Sequence, residues 1–286
     1  MMRFIRLVMI VALGTVCSVY SVICVLFAIH VQVFVATGGA PVTPEAAGLH
    51  GFTAVSVPTD DGERLSGWWS PPRPGRGAVL LLLGNGGVDL SVMAPVLADL
   101  AARGLGALGV EYRGNRGSTG VPSEAGVYAD ARGAYDFIAR VEPGAGIAVF
   151  GGSFGSGVAV QLACERPVAG LVLDSAYSSI LSLLDKPGAF PLPYRLLLGD
   201  PLDSISKIGK VKAPLMIVAG TADDRIPLSE PRRLYAAANE PKTLIEVDGA
   251  GHGGAYQAGA RERVLAALDR WTAGAPANAE RPQTSP

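Results

Sequence analysis

The segment that decides the fold reads Ile147-Ala148-Val149-Phe150-Gly151-Gly152-Ser153-Phe154-Gly155. Its first four residues are apolar and favour a β-strand. The glycines that follow let the chain reverse sharply, and the sequence beyond them is helical in pattern through about Cys164. A strand, a tight turn and a helix in this order indicate one βα unit of an α/β domain.

Apolar runs and helical patterns alternate on both sides of this unit. Further strands are predicted over residues 52–57, 65–70, 78–83, 105–112, 168–173, 215–219 and 243–247. Further helices are predicted over residues 90–103, 124–141 and 261–271. This alternation predicts an α/β fold with a mostly parallel sheet of about eight strands and helices on both faces. We expect this domain to span residues 51–272.

The first 36 residues differ from the rest of the chain in being strongly apolar. Arg3 and Arg6 precede an apolar run of about 29 residues, which as a helix is long enough to cross a bilayer core of roughly 30 Å. We therefore expect an uncleaved signal anchor over residues 1–36, a single transmembrane helix whose N-terminus is cytoplasmic. The folded domain would then lie outside the cytoplasm. A cleaved signal peptide, which would release the domain, and a buried helix of a soluble protein are the alternatives.

Two further segments fall outside the predicted domain. Residues 37–50 contain Gly, Pro and Ala and are interpreted as a linker. Residues 273–286 contain Pro, Asn, Gln, Thr and Ser, a composition typical of a disordered tail.

Composition excludes several classes of function. The 286 residues carry a net charge of −1, and no basic stripe is present that would bind nucleic acid. The three cysteines, Cys17, Cys24 and Cys164, lack the spacing of metal ligands, and three histidines are too few for a His-rich metal site. We therefore expect no metal site, and the acyl-transfer chemistry considered below needs no organic cofactor.

Ser153 is the candidate nucleophile. A serine in a Gly-x-Ser-x-Gly turn between a strand and a helix has its hydroxyl clear of the sheet, and the helix directs its first amides at developing negative charge. The alternative is a glycine-rich loop in which Ser153 only caps the helix.

A serine hydroxyl needs a base to become nucleophilic, and His252 is the candidate. Of the other two histidines, His30 lies in the N-terminal apolar run and His50 in the linker. His252 lies in the glycine-rich loop 248–254, after the last predicted strand. A surface histidine without a role is the alternative.

A third group must orient the imidazole and stabilise its cation. Asp223 and Asp224 follow the strand at 215–219, and the residues themselves do not distinguish between them. Asp174 ends an earlier strand and could serve instead. Asp248 is close to His252 in sequence and is more suited to capping the loop.

Two backbone N–H groups are expected to hold the oxyanion of an acyl-transfer reaction. Phe154 supplies the first because it follows the nucleophile. The loop 84–87 follows the strand at 78–83 and supplies the second, through Asn85. A plain strand-to-helix loop is the alternative.

Several motifs together resemble those of the α/β-hydrolases. They are the runs 80–87, 111–120 and 122–124 with Asp130, the Gly-x-x-Asp-x-x-x-Pro motif at 220–227 and the Gly-x-Gly-His motif at 249–252. In particular, residues 50–272 are similar to the membrane-anchored, small-lid group related to serine aminopeptidase-like hydrolases. The resemblance implies that Asp223 is the acid. It also implies that Arg113, Gly114 and Ser118 shape the floor of the site. One position departs, since Leu83 stands where the family has a histidine that steadies the oxyanion loop.

The resemblance implies a serine hydrolase that cleaves carboxylic esters or thioesters through an acyl-enzyme. An aminopeptidase-like serine peptidase and a catalytically silent scaffold that binds a ligand or partner are the alternatives. The segment between Asp174 and Val211 contains enough apolar residues for a small cap over an acyl chain. The expected partners are a small-molecule or acyl substrate and, through the N-terminal helix, a membrane.

Overall fold

The structure is a computed structural model and describes residues 2–84, 89–184 and 201–273. The strands are β1 Thr53–Pro58, β2 Arg64–Ser70, β3 Ala78–Leu82, β4 Gly106–Val110, β5 Ile147–Gly152, β6 Gly170–Asp174, β7 Leu215–Gly220 and β8 Lys242–Val247. The helices are α1 Met2–Val33, α2 Ala94–Ala102, α3 Glu124–Val141, α4 Phe154–Glu165, α5 Ile180–Leu184, α6 Ser229–Ala237 and α7 Arg261–Thr272. Short 3-10 turns lie at Leu90–Met93 and Ile208–Lys210, and a π-helical turn lies at Tyr256–Ala260.

Within the described ranges the strands form one sheet of eight, in the order β1-β2-β4-β3-β5-β6-β7-β8. β1 and β2 pair antiparallel, β2 also pairs antiparallel with β4, and all pairs from β4 to β8 are parallel. The predicted α/β fold with a mostly parallel sheet of about eight strands is therefore confirmed.

The central strands are covered on both faces, as their continuous apolar runs predict. All five residues of β3 are 0% exposed, and β4 and β6 are buried throughout. Helix α3 has the bounds that the sequence predicts, and Ser123 caps it by accepting a hydrogen bond from the Gly126 amide.

The helix predicted over residues 90–103 is divided into two parts. A 3-10 turn at Leu90–Met93 precedes α2, which begins at Ala94 with Pro95 in its first turn. Proline has no N–H and fits only where a helix leaves that group unpaired, so the α-helix begins beside it. Helix α6 was not predicted; it also holds a proline, Pro231, near its start.

The N-terminal apolar segment is helical, as α1. Among the residues that the structure describes, however, no helix has both the length and the apolar character that a bilayer crossing requires. The prediction of a transmembrane helix over residues 1–36 is therefore not supported, because the described part of the helix falls short of that requirement.

The segment that was interpreted as a linker lies along the surface of the domain. The Gly38 amide donates to Gly114 O, and the Arg116 amide donates back to Gly38 O. Further along, the Trp68 indole donates to Val42 O at 3.0 Å, and Leu49 is only 3% exposed. The division of the chain into domains stays a prediction. Residues 185–200 of the predicted cap segment and residues 274–286 of the predicted tail lie outside the described residues.

Candidate active site

Three candidate side chains meet at the carboxyl edge of the sheet. Ser153 follows β5, Asp223 follows β7 and His252 follows β8. His252 Nε2 lies 2.9 Å from Ser153 Oγ, and His252 Nδ1 lies 2.9 Å from Asp223 Oδ2. Neighbouring parallel strands end at one edge of a sheet, which explains why residues 99 positions apart in sequence make contact.

The turn at Ser153 is strained and closely packed. Ser153 has φ +49° and ψ −117°, a conformation that side-chain-bearing residues rarely adopt. Its amide donates to Asp174 O at 2.8 Å. A Cβ at Gly151 would lie 2.5 Å from Gly155 O, and one at Gly155 would lie 2.2 Å from Leu82 O. Glycine is therefore required at both positions for the turn to fit against the sheet.

Asp223 is almost fully enclosed, with its side chain 3% exposed. Burial alone would raise the pKa of Asp223. Amide hydrogen bonds from Ile226 and Arg225, each 2.9 Å long, and the contact with His252 outweigh burial, so the pKa lies below its ordinary value. Asp223 is therefore a carboxylate at neutral pH. The neighbouring Asp224 is exposed, so the structure brings only the first of these two aspartates to His252.

The contacts of His252 indicate its tautomer. Because Asp223 is a carboxylate that only accepts hydrogen bonds, Nδ1 carries the proton and donates it. Nε2 is then left with a lone pair facing the Ser153 hydroxyl. The His252 side chain is 18% exposed, so solvent reaches its ring. Asp248 lies apart from the imidazole and accepts instead from Thr221 Oγ1 at 3.0 Å.

The first oxyanion candidate, Phe154, is the first residue of α4. Amides in the first turn of a helix have no partner within the helix, and they lie at its positive end. The second candidate, Asn85, lies outside the described residues. The strand-end residue Leu83 is buried, and its carbonyl accepts from the Tyr112 hydroxyl at 3.4 Å.

Aromatic rings surround Phe154. Phe34 meets it edge-on with ring centroids 5.9 Å apart, and Tyr112 does so at 5.6 Å. The Tyr177 hydroxyl donates to Phe154 O at 3.2 Å. The contact with Phe34 was missed from the sequence, because a phenylalanine at the end of an apolar run carries no signal of its packing partner.

The run 111–120 is held in place by ion pairs and hydrogen bonds to neighbouring segments. Arg113 lies between the carboxylates of Asp61 and Asp130, with nitrogen–oxygen distances of 2.7 and 2.8 Å. The Ser118 hydroxyl accepts from the Ser66 amide and donates to Glu111 O. In the described ranges, no cluster of three or more His, Cys, Asp or Glu side chains is placed to hold a metal ion.

Comparison with known proteins gives several relatives in sequence. No family model matches the chain. The uncharacterized protein Rv2307c of Mycobacterium tuberculosis (strain ATCC 25618 / H37Rv) is 43% identical over 220 residues, covering 74% of this chain and 76% of that protein. The uncharacterized protein YfhR of Salmonella typhi is 31% identical over 233 residues, covering 73% and 76%. Human alpha/beta hydrolase domain-containing protein 17B is 28% identical over 198 residues, covering 68% and 67%.

Solved structures share the architecture at low sequence identity. The Pyrococcus furiosus esterase Pf2001 matches with a TM-score of 0.67 and 22% identity, covering 82% of this chain and 100% of that one. The alpha/beta hydrolase GrgF from Penicillium sp. sh18 matches with a TM-score of 0.59 and 19% identity, covering 78% and 99%. The chain therefore belongs to the same family as Rv2307c and YfhR, and it has the α/β-hydrolase fold that these solved structures share.

Proposed function

We propose that this protein is a serine hydrolase that cleaves carboxylic esters or thioesters through an acyl-enzyme formed on Ser153. The observation that carries the proposal is the hydrogen-bonded series from Ser153 Oγ through His252 to Asp223, with both contacts at 2.9 Å. Such a series gives a weak hydroxyl nucleophile its base, and gives the base its orienting acid. That the structural neighbour Pf2001 is named as an esterase supports the choice of substrate class.

In the first step, Ser153 Oγ attacks the acyl carbon while His252 Nε2 takes the hydroxyl proton. Asp223 stabilises the imidazolium that forms. The Phe154 amide donates to the oxyanion, and Asn85 is proposed to supply the second donor. When the intermediate collapses, the bond from the acyl carbon to the alcohol or thiol breaks. The leaving group takes the proton from His252.

In the second step, water replaces the leaving group. His252 takes a proton from the water as its oxygen attacks the acyl carbon of the acyl-enzyme. Collapse of this second intermediate breaks the bond to Ser153 Oγ, which recovers its proton from His252. The products are a carboxylic acid and the free enzyme, so no metal or organic cofactor takes part.

A fluorophosphonate probe tests the nucleophile. We expect the wild-type protein to be labelled and the Ser153→Ala variant to be unlabelled, with the two melting at similar temperatures. An unlabelled wild type, or equal labelling of both proteins, would overturn the proposal. Turnover of p-nitrophenyl esters of graded chain length, beside aminoacyl anilides, then separates an ester hydrolase from an aminopeptidase-like enzyme.

A further inference from the structure

The loop that carries His252 is rich in glycine. Between Asp248 and Ala255 it holds four glycines, at 249, 251, 253 and 254. Glycine has more backbone freedom to lose on ordering than any other residue, so this loop cannot fix the imidazole by itself. Contacts from outside the loop must hold His252 at hydrogen-bond distance from Ser153.

The part of the loop before His252 is held by residues that follow β7. Thr221 Oγ1 donates to Asp248 Oδ1 at 3.0 Å and accepts from the Gly249 amide at 2.9 Å. The Ala222 amide donates to Ala250 O at 3.0 Å. The last of these contacts is at Ala250, two residues before His252.

The part after His252 is held by two residues at the end of β6. The Gly253 amide, directly after the histidine, donates to Ser175 Oγ at 3.0 Å. The Tyr256 amide lies near the Asp174 carboxyl group, and the Ser175 hydroxyl donates to Asp174 Oδ1 at 3.4 Å. We call Asp174 and Ser175 together the β6 clamp.

The same clamp also holds the nucleophile. Asp174 O accepts from the Ser153 amide at 2.8 Å, and the Ser175 amide donates to Val218 O at 3.0 Å. One rigid strand end, tied to β7, therefore contacts both the turn of Ser153 and the loop of His252. A shift of either clamp residue would change the distance between nucleophile and base.

Two features of the clamp cost folding free energy. Ser175 has φ +51°, and Asp174 is 4% exposed, where burial raises the pKa of its carboxyl to about 7. Strained backbone and buried carboxyl groups persist where the surrounding structure enforces them, and they are frequent at functional sites. An apolar residue would satisfy the packing of a strand end, but it would leave the Ser175 hydroxyl without its carboxylate acceptor.

We propose that Asp174 and Ser175 are positioning residues that set the contact between Ser153 Oγ and His252 Nε2 from the far side of the His252 loop. The proposal rests on the proposed serine-hydrolase function. It predicts that loss of a clamp acceptor lowers turnover without weakening substrate binding.

The test compares Ser175→Gly with a matched control in the full-length chain. Glycine tolerates the positive φ, so the variant removes the acceptor of the Gly253 amide without adding backbone strain. The control is Thr272→Val, which removes another buried hydroxyl, one that donates to Leu268 O at the opposite edge of the sheet. We expect kcat on a p-nitrophenyl ester to fall about 10- to 100-fold in Ser175→Gly, the range for sub-ångström misplacement of a catalytic group. We expect KM to change less than about threefold, and the control to keep both constants.

The Asp174 variants provide a second comparison that does not depend on the first. Asp174→Asn keeps an oxygen acceptor for the Ser175 hydroxyl, so we expect it to retain kcat within about threefold, whereas Asp174→Ala loses about tenfold or more. A Ser175→Gly variant that keeps the wild-type kcat, or two Asp174 variants with equal kcat, would overturn the positioning role of the β6 clamp. The proposed function would still stand in that case if the wild-type protein is labelled by the fluorophosphonate. A wild type that is not labelled would overturn both.

Discussion

Asp223 receives hydrogen bonds from two backbone amides and from the imidazole of His252. The amides fix the rotamer of the carboxylate and keep it charged, which lets it hold the proton of the histidine on Nδ1. Asp224 differs from it by one position and is exposed. At this strand end the contact with His252 therefore depends on which carboxylate the turn directs inward, not on the presence of a carboxylate.

We expect Asp223→Asn to lower kcat by roughly 10³- to 10⁴-fold. The amide oxygen still accepts from Ile226 and Arg225, but the amide nitrogen then faces Nδ1 and favours the tautomer with its proton on Nε2, which cannot accept from Ser153. Kinetics on a p-nitrophenyl ester measure the effect. Asp224→Asn is the matched control and should keep wild-type kcat. Equal losses in both variants would contradict the assignment of Asp223.

At the scale of elements, the candidate site depends on the turn between β5 and α4, because this turn carries Ser153. Helix α4 approaches β3 so closely that the position of Gly155 has no space for a methyl group. The neighbouring Gly152 has nothing within 4 Å of the place where its Cβ would lie. The two glycines therefore serve different purposes, although they are three residues apart in one motif.

We expect Gly155→Ala to destabilise the protein by roughly 1–3 kcal/mol, because the new methyl group meets backbone oxygens of residues 82 and 83 that cannot move independently. Gly152→Ala should change the free energy of unfolding by less than about 1 kcal/mol. Urea unfolding of both variants measures the difference. Similar destabilisation in the two would show that the close approach of α4 to β3 does not limit stability.

The elements could be predicted from the sequence to the extent that their signals are local. The buried strands are continuous apolar runs, and α3 has a serine cap with a regular apolar face. The sequence therefore predicts the bounds of these elements closely. The break before α2 was missed because apolar spacing continues through Leu90–Met93. The β6 clamp and the choice of Asp223 depend on contacts between distant strand ends, and residues alone left that choice open until a family resemblance favoured Asp223.

At the scale of the whole molecule, buried carboxyl groups set how stability depends on pH. Burial raises the pKa of Glu111 to about 7 from an ordinary value of 4.5, although its carboxylate accepts from the Leu90 amide. The folded protein thus holds a proton that the unfolded chain releases. Below about pH 4.5 both states are protonated and the group has no effect. Stability then falls as pH rises towards 7. Asp174 acts in the same direction, since burial raises its pKa also to about 7.

We expect Glu111→Gln to remove part of this pH dependence. The amide oxygen can still accept from Leu90, and no charge has to be buried. Relative to wild type, the variant should gain up to about 3 kcal/mol between pH 4 and pH 8, at about 1.4 kcal/mol per pKa unit. Chemical denaturation at both pH values measures this gain. A constant difference between variant and wild type across that range would contradict a raised pKa at Glu111.

The contact between Phe34 and Phe154 has a practical consequence for anyone who immobilises this protein. The N-terminal helix leads directly into Phe34, which packs against Phe154, the proposed oxyanion donor, whereas α7 ends beside Gly77 and Gly146, at the opposite edge of the sheet. We expect force applied to an affinity tag or a biosensor linkage at the N-terminus to reach the turn of Ser153 through α1 and this contact. The same attachment after Ala273 would leave it undisturbed.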